Sequence, residues 1–133
     1  MNRRIVVSIL VALALTALPA FAQSRTRLHA DATSLAATLH DAQTSVNVSP
    51  SVWRVVGNEA NSLANRIYGA TAGNSTARGL ATDLRTHVRM MRQAALAGNA
   101  VEARRHAAEA MPFLTRLIDW ASPPRNLALP GNR

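Results

Sequence analysis

Apolar residues recur at intervals of three and four residues in four successive segments of this 133-residue chain. That spacing places the apolar residues of each segment on one face of an α-helix, whereas a half-buried strand would alternate them at intervals of two. Stretches rich in Asn, Ser, Gly and Pro separate the segments. The pattern predicts four helices, at about residues 26–45, 50–69, 76–97 and 100–121.

Local signals mark the ends of these helices. Ser49, Ser75 and Asn99 can each cap a helix N-terminus, because their side chains accept a hydrogen bond from a free backbone N–H. Gly98 stands where a left-handed residue commonly ends a helix. Pro112 falls inside the fourth helix, opposite its buried face, so we expect a bend there rather than a break. In the second helix the predicted buried residues are Val52, Val56, Ala60, Leu63 and Ile67.

The three connections are short and the helices are similar in length, which favours antiparallel neighbours. The predicted fold class is therefore all-α, an antiparallel up-down-up-down four-helix bundle formed by residues 23–121. Residues 122–133 contain Pro123 and Pro124 and are expected to form an extended or disordered tail. Cysteine is absent, so packing rather than disulfide bonds has to stabilise the bundle.

The first 22 residues have the three parts of an export signal. Arg3 and Arg4 supply positive charge, Ile5–Leu18 is apolar, and residues 20–22 form a small-x-small cleavage site. The apolar run has 14 residues, whereas a membrane-spanning helix needs about 20. A signal peptide cleaved after Ala22 therefore explains it better than the alternative, a retained anchor. The sequence predicts a periplasmic or secreted protein with no stable membrane insertion after cleavage.

Basic residues outnumber acidic ones, 15 to 7, and every one of the 15 is arginine. This excess favours an anionic partner, either an envelope protein or an anionic surface. Nucleic acid is not expected, because an exported protein seldom meets it. Guanidinium groups pair bidentately with phosphates and carboxylates, and the alternative is an ordinary solvated face. The arginines predicted to contact the partner are Arg78, Arg85, Arg89, Arg92, Arg104 and Arg105.

Histidine and glutamate residues on three helices are predicted to meet at one level of an antiparallel bundle. They are Glu59, expected on the inward side of the second helix, with His87, His106 and Glu109. Such a set suits a divalent metal, with imidazole favouring zinc, copper, nickel or iron. The structural interpretation is favoured over a metal site: Glu59 and His87 would form a buried pair, and Glu102 would join His106 and Glu109 in a solvated flank of local ion pairs. The spacing matches no known metal signature.

The sequence contains no nucleophile elbow, phosphate loop or dinucleotide fingerprint. We therefore expect a non-catalytic binding module without a cofactor, whose partner is an envelope protein or an anionic surface. Metal binding or protection against metal stress is the alternative, and an enzyme with Glu59 as a catalytic acid is a third hypothesis. Trp53, Phe113 and Trp120 are expected at the edge of the core, where they would allow a homodimer.

Overall fold

A computed structural model describes residues 20–122, which form four helices packed against one another and contain no strands. Helix α1 spans Ala20–Thr44, α2 spans Pro50–Gly69, α3 spans Ser75–Leu96 and α4 spans Ala100–Ala121. The main neighbours of α1 are α2 and α4, and α3 likewise packs on α2 and α4, so the four helices surround one core. The prediction of an all-α, four-helix fold is confirmed.

The predicted export signal and tail lie mostly outside the described residues, which begin at residue 20 and end at residue 122. Helix α1 starts at Ala20 and therefore includes the predicted cleavage site after Ala22. Within residues 20–122, no helix combines the length and the apolar character that crossing a membrane requires.

Large aliphatic side chains and alanines together fill the core. Each fully buried large side chain contributes about 1.5–3 kcal/mol relative to exposure, while the alanines let neighbouring helix backbones approach. The largest fully buried side chains are Leu28, Leu35, Leu39, Trp53, Ile67, Leu84, Val88, Met91, Leu114 and Leu117. Trp53, which was predicted at the edge of the core, is completely buried.

The buried face of α2 is rotated from the predicted one. Trp53 and Gly57 are buried, whereas Val52 is 48% exposed and Glu59 is exposed. A Cβ atom at Gly57 would lie 3.2 Å from the Cα of Arg92, so the backbones of α2 and α3 approach closely at this glycine. Residue 59 is about 200° further round the helix and therefore points to solvent. The prediction that Glu59 faces inward is wrong.

The helix ends follow the predicted signals with one exception. Ser49 accepts a hydrogen bond from the N–H of Val52, and Asn99 accepts one from Glu102, so both predicted caps are confirmed. Gly98 has a φ of 75°, the left-handed conformation expected there. Pro112 is exposed and α4 continues through it. These signals could be read locally because each depends on one or two residues.

Asn74, not Ser75, caps helix α3. Its Oδ1 accepts a hydrogen bond of 2.9 Å from the N–H of Ala77, and Ser75 is the first helical residue. Replacing Asn74 with alanine is expected to lower the free energy of unfolding by about 1 kcal/mol, because a free backbone N–H loses its acceptor. Ser75→Ala is the matched control and should leave urea unfolding nearly unchanged. An equal loss in both variants would contradict this assignment.

Candidate metal centre

Two adjacent helices supply the cluster of histidine and glutamate side chains. Helix α3 carries His87, and α4 carries His106 and Glu109. The two helices are joined by only three residues, 97–99, and pack along each other. His87 and Glu109 each lie 11 residues from Gly98, so the tight turn brings them to one level. The predicted meeting of these three residues is thus seen in the structure.

The donor atoms of the cluster converge on a small volume. One ligand atom from each of His87, His106 and Glu109 lies within 4.8 Å of the others. Oε2 of Glu109 is 3.2 Å from Nδ1 of His87 and 4.0 Å from Nδ1 of His106. Zinc bonds of 2.0–2.2 Å in a tetrahedral site would place such atoms about 3.3 Å apart. Small side-chain adjustments would therefore bring the three donors to metal-binding distances.

Both Nδ1 atoms are buried and have no hydrogen-bond partner among the described residues. The Nδ1 of His87 is close enough to Glu109 for an ion pair, but the two groups are not aligned as a hydrogen bond. Leaving a buried polar atom unsatisfied costs about 1–3 kcal/mol. A cation shared by the two Nδ1 atoms and the carboxylate oxygen would satisfy all three atoms.

The aromatic ring of Phe113 packs against the histidines of the cluster. Its ring stacks on His87 with a centroid separation of 5.5 Å and an interplanar angle of 18°, and the ring of His106 lies 6.5 Å from that of His87. The His106 side chain is only 12% exposed and that of His87 23%. Packing therefore limits the movement of both imidazoles, which favours a preformed site. Phe113 was predicted only as an edge residue, although its spacing of seven from His106 puts both on one helix face.

An ion-pair network borders the cluster on its solvent side. Arg105 contacts Glu102 at 2.7 Å and Oε1 of Glu109 at 2.5 Å. The hydrogen bond from Arg105, reinforced by its charge, holds the pKa of Glu102 below its ordinary value, although partial burial opposes the shift. The same hydrogen bond with Glu102 raises the pKa of Arg105. Two carboxylates against one guanidinium leave one negative charge beside the imidazoles, which favours a cation.

The network leaves the converging atoms free and orients them. Arg105 holds Oε1 of Glu109, while Oε2 of the same carboxylate faces the two histidines. Behind His106, the nitrogen opposite the one that faces Glu109 is Nε2, which lies 3.4 Å from Nη2 of Arg105 and 3.7 Å from Oε2 of Glu102. In many metal sites a carboxylate that accepts a hydrogen bond from a ligating imidazole fixes its orientation, and Glu102 lies just outside hydrogen-bond distance of His106. Glu102 and Arg105 thus form a supporting shell around the candidate ligands.

Glu59 does not belong to the cluster. It is exposed on α2 and absent from the described group of converging ligand atoms. His29 and His40 lie on α1, where His40 is exposed and His29 half-buried, and neither joins the group. The site therefore has ligands from two helices rather than the predicted three.

The six arginines predicted to bind an anionic partner divide into two groups. Arg104 donates to the backbone carbonyls of Gln43 and Ser45, at the end of α1, and so satisfies acceptors that a helix terminus leaves free. Arg105 is held by the carboxylates of the cluster. Both of the predicted partner-binding arginines on α4 therefore make contacts within the fold.

The four α3 arginines lie towards α2 or in solvent. The guanidinium carbons of Arg78 and Arg85 lie 3.8 and 4.2 Å from the ring centroid of Tyr68. Arg92 donates a 3.0 Å hydrogen bond to Asn58, and Arg89 is exposed. None of these four forms an ion pair with a carboxylate in the part of the chain that the structure describes. The helical phase of these four arginines was enough to predict that they lie on one side of α3.

Comparison with known proteins identifies no relative of this chain. The sequence matches no protein-family model, and neither the curated proteins nor the solved structures give a significant match. The functional assignment therefore depends on the residues of this chain alone.

Proposed function

We propose that the cluster of His87, His106 and Glu109 binds a divalent transition-metal ion. The observation that carries this proposal is the pair of buried Nδ1 atoms that lack hydrogen-bond partners and face one carboxylate oxygen. Two imidazole nitrogens and one carboxylate oxygen suit zinc best, and copper, nickel or iron next. Glu102 and Arg105 would orient the ligands from behind.

Three protein ligands leave the fourth tetrahedral position to water or to an exchangeable ligand. The imidazole side chains are partly accessible, so an ion could enter and leave from solvent. This combination suits a protein that takes up, holds or passes on a metal ion, and we propose such non-catalytic binding as its role. Export to the periplasm or the medium, with removal of residues 1–22, remains a proposal from the sequence.

We infer that the helices run antiparallel in up-down-up-down order, because contacts join opposite ends of neighbours. Arg25, near the start of α1, donates to the carbonyl of Trp120 at the end of α4. Arg104, near the start of α4, reaches Ser45 just beyond the end of α1. Asp31 and Arg66 pair across α1 and α2. This order supports the proposal, since it places residues equally distant from the α3–α4 turn at one level.

Calorimetric titration of the chelator-treated protein with Zn²⁺ tests the proposal. We expect binding of one equivalent, unaffected by Glu59→Gln, because Glu59 is exposed and outside the cluster. If the metal-free protein binds no zinc, copper, nickel or iron, the cluster is only an ion-pair network and the proposal fails. Loss of binding in Glu59→Gln would instead contradict the ligand set.

A further inference from the structure

Three clefts open around the loop of residues 70–74, and arginine lines each of them. One, of about 290 Å³, lies beside Arg25 and Trp120. A second, of about 580 Å³, lies beside Arg78, and a third, of about 330 Å³, lies beside Arg27 and Arg66. The start of α1, the end of α2, the start of α3 and the end of α4 meet here. We call this region, with Arg25, Arg27, Arg66, Arg78 and Arg85, the basic end.

Positive charge is concentrated in this half of the bundle. Residues 23–32, 60–85 and 111–122 contain six arginines and three aspartates. The opposite half, residues 33–59 and 86–110, contains five arginines and four carboxylates, so its charges nearly balance. An anionic partner is therefore attracted to the basic end more strongly than to the opposite end.

Two arginines at the basic end share one aromatic ring. Arg78 and Arg85 lie over Tyr68, so their guanidinium carbons are within about 8 Å of each other, the sum of the two distances to the ring. Neither has an ion pair with a described carboxylate, and their like charges repel. Arg25 lies similarly over Trp120, 4.6 Å from the ring centroid. Anions placed between the guanidinium groups would relieve the repulsion.

We infer that the basic end docks on the phosphate groups of an anionic phospholipid bilayer. Its arginines are spread over three helices rather than gathered in one pocket, which suits an array of phosphates. Tyrosine and tryptophan beside arginine are typical of the headgroup level of membranes, and Tyr68 and Trp120 are both half-buried here.

Sedimentation with vesicles tests this inference. The protein is used without residues 1–22, the segment whose removal is proposed above, and in chelating buffer, so that the metal centre plays no part. We expect binding to phosphatidylglycerol vesicles, little binding to phosphatidylcholine vesicles, and loss at high salt. The double variant Arg27→Gln, Arg78→Gln should bind about 30-fold more weakly, since each arginine near the surface contributes about fivefold. Arg27→Lys, Arg78→Lys should retain most of the binding.

The matched control removes the same charge from the opposite half. Arg54 and Arg89 are exposed there, 12 residues along α2 from Arg66 and 11 residues along α3 from Arg78. At a rise of 1.5 Å per residue, these separations are about 16–18 Å, which exceeds a Debye length of about 10 Å. Arg54→Gln, Arg89→Gln should therefore change vesicle binding less than about twofold. Equal binding to neutral and anionic vesicles overturns the inference. So does binding that is lost with Val46→Ser, Val101→Ser, because these residues, 84% and 78% exposed, lie at the other end.

Discussion

Replacement of Trp53 with alanine is expected to lower the free energy of unfolding by about 3–5 kcal/mol. Trp53 is completely buried and is the bulkiest side chain in the core. Truncation removes apolar surface from the core and leaves a cavity that helices held by close backbone contacts cannot fill. The expected loss is a large fraction of the free energy of unfolding of a typical small domain. Urea unfolding monitored by circular dichroism measures it.

The other tryptophan supplies the matched control. Trp120 is half-buried at the end of α4, so Trp120→Ala should cost clearly less than Trp53→Ala. Nε1 of Trp53 has no hydrogen-bond partner among the described residues, and Trp53→Phe removes this unsatisfied group while keeping an aromatic ring. We therefore expect Trp53→Phe to be much milder than Trp53→Ala. Equal losses in Trp53→Ala and Trp120→Ala would contradict the buried position of Trp53.

Replacement of His87 with alanine is expected to weaken zinc binding at least about 100-fold. His87 is the only candidate ligand from α3, so its loss leaves two ligands on α4. Mutation of residues that merely support metal ligands already costs about 10–100-fold in affinity, and a ligand should cost no less. Competition with a chromophoric chelator measures the affinity of each variant.

Graded effects distinguish the ligands from the residues around them. His106→Ala should resemble His87→Ala, and Glu102→Gln should lower the affinity by about 10-fold or more through His106. His40→Ala is the matched control, because His40 is exposed on α1 outside the cluster. If His40→Ala weakened binding as much as His87→Ala, zinc would be bound by surface histidines in general.

The four helices could be predicted because their apolar periodicity and their end signals are local. The rotation of α2 could not be predicted in this way, since Val52 and Trp53 are both apolar and either could start a buried stripe. Packing selects Trp53, whose larger surface gains more from burial, and Gly57, which allows α3 to approach. Glu59 was misplaced for the same reason.

The site was predictable as far as counting from a tight turn allows. Residues equally distant from Gly98 lie side by side on α3 and α4. Counting from Gly98 therefore predicted the contact between His87 and Glu109 that the structure contains. One oxygen of Glu109 contacts Arg105 and the other faces the histidines. This arrangement depends on side-chain rotamers, which sequence spacing does not predict. The contact of Arg104 with the end of α1 depends on which helix ends are neighbours. Sequence therefore identified the candidate ligands but not their supporting shell.

Histidine side-chain NMR during a zinc titration tests the metal centre most directly, because the chain has only four histidines. We predict that the imidazole resonances of His87 and His106 shift and saturate at one equivalent of Zn²⁺. Those of His29 and His40, which lie outside the cluster, should remain in place. The absence of any shift at His87 and His106 in excess zinc, or equal shifts at all four histidines, would contradict a metal centre between α3 and α4.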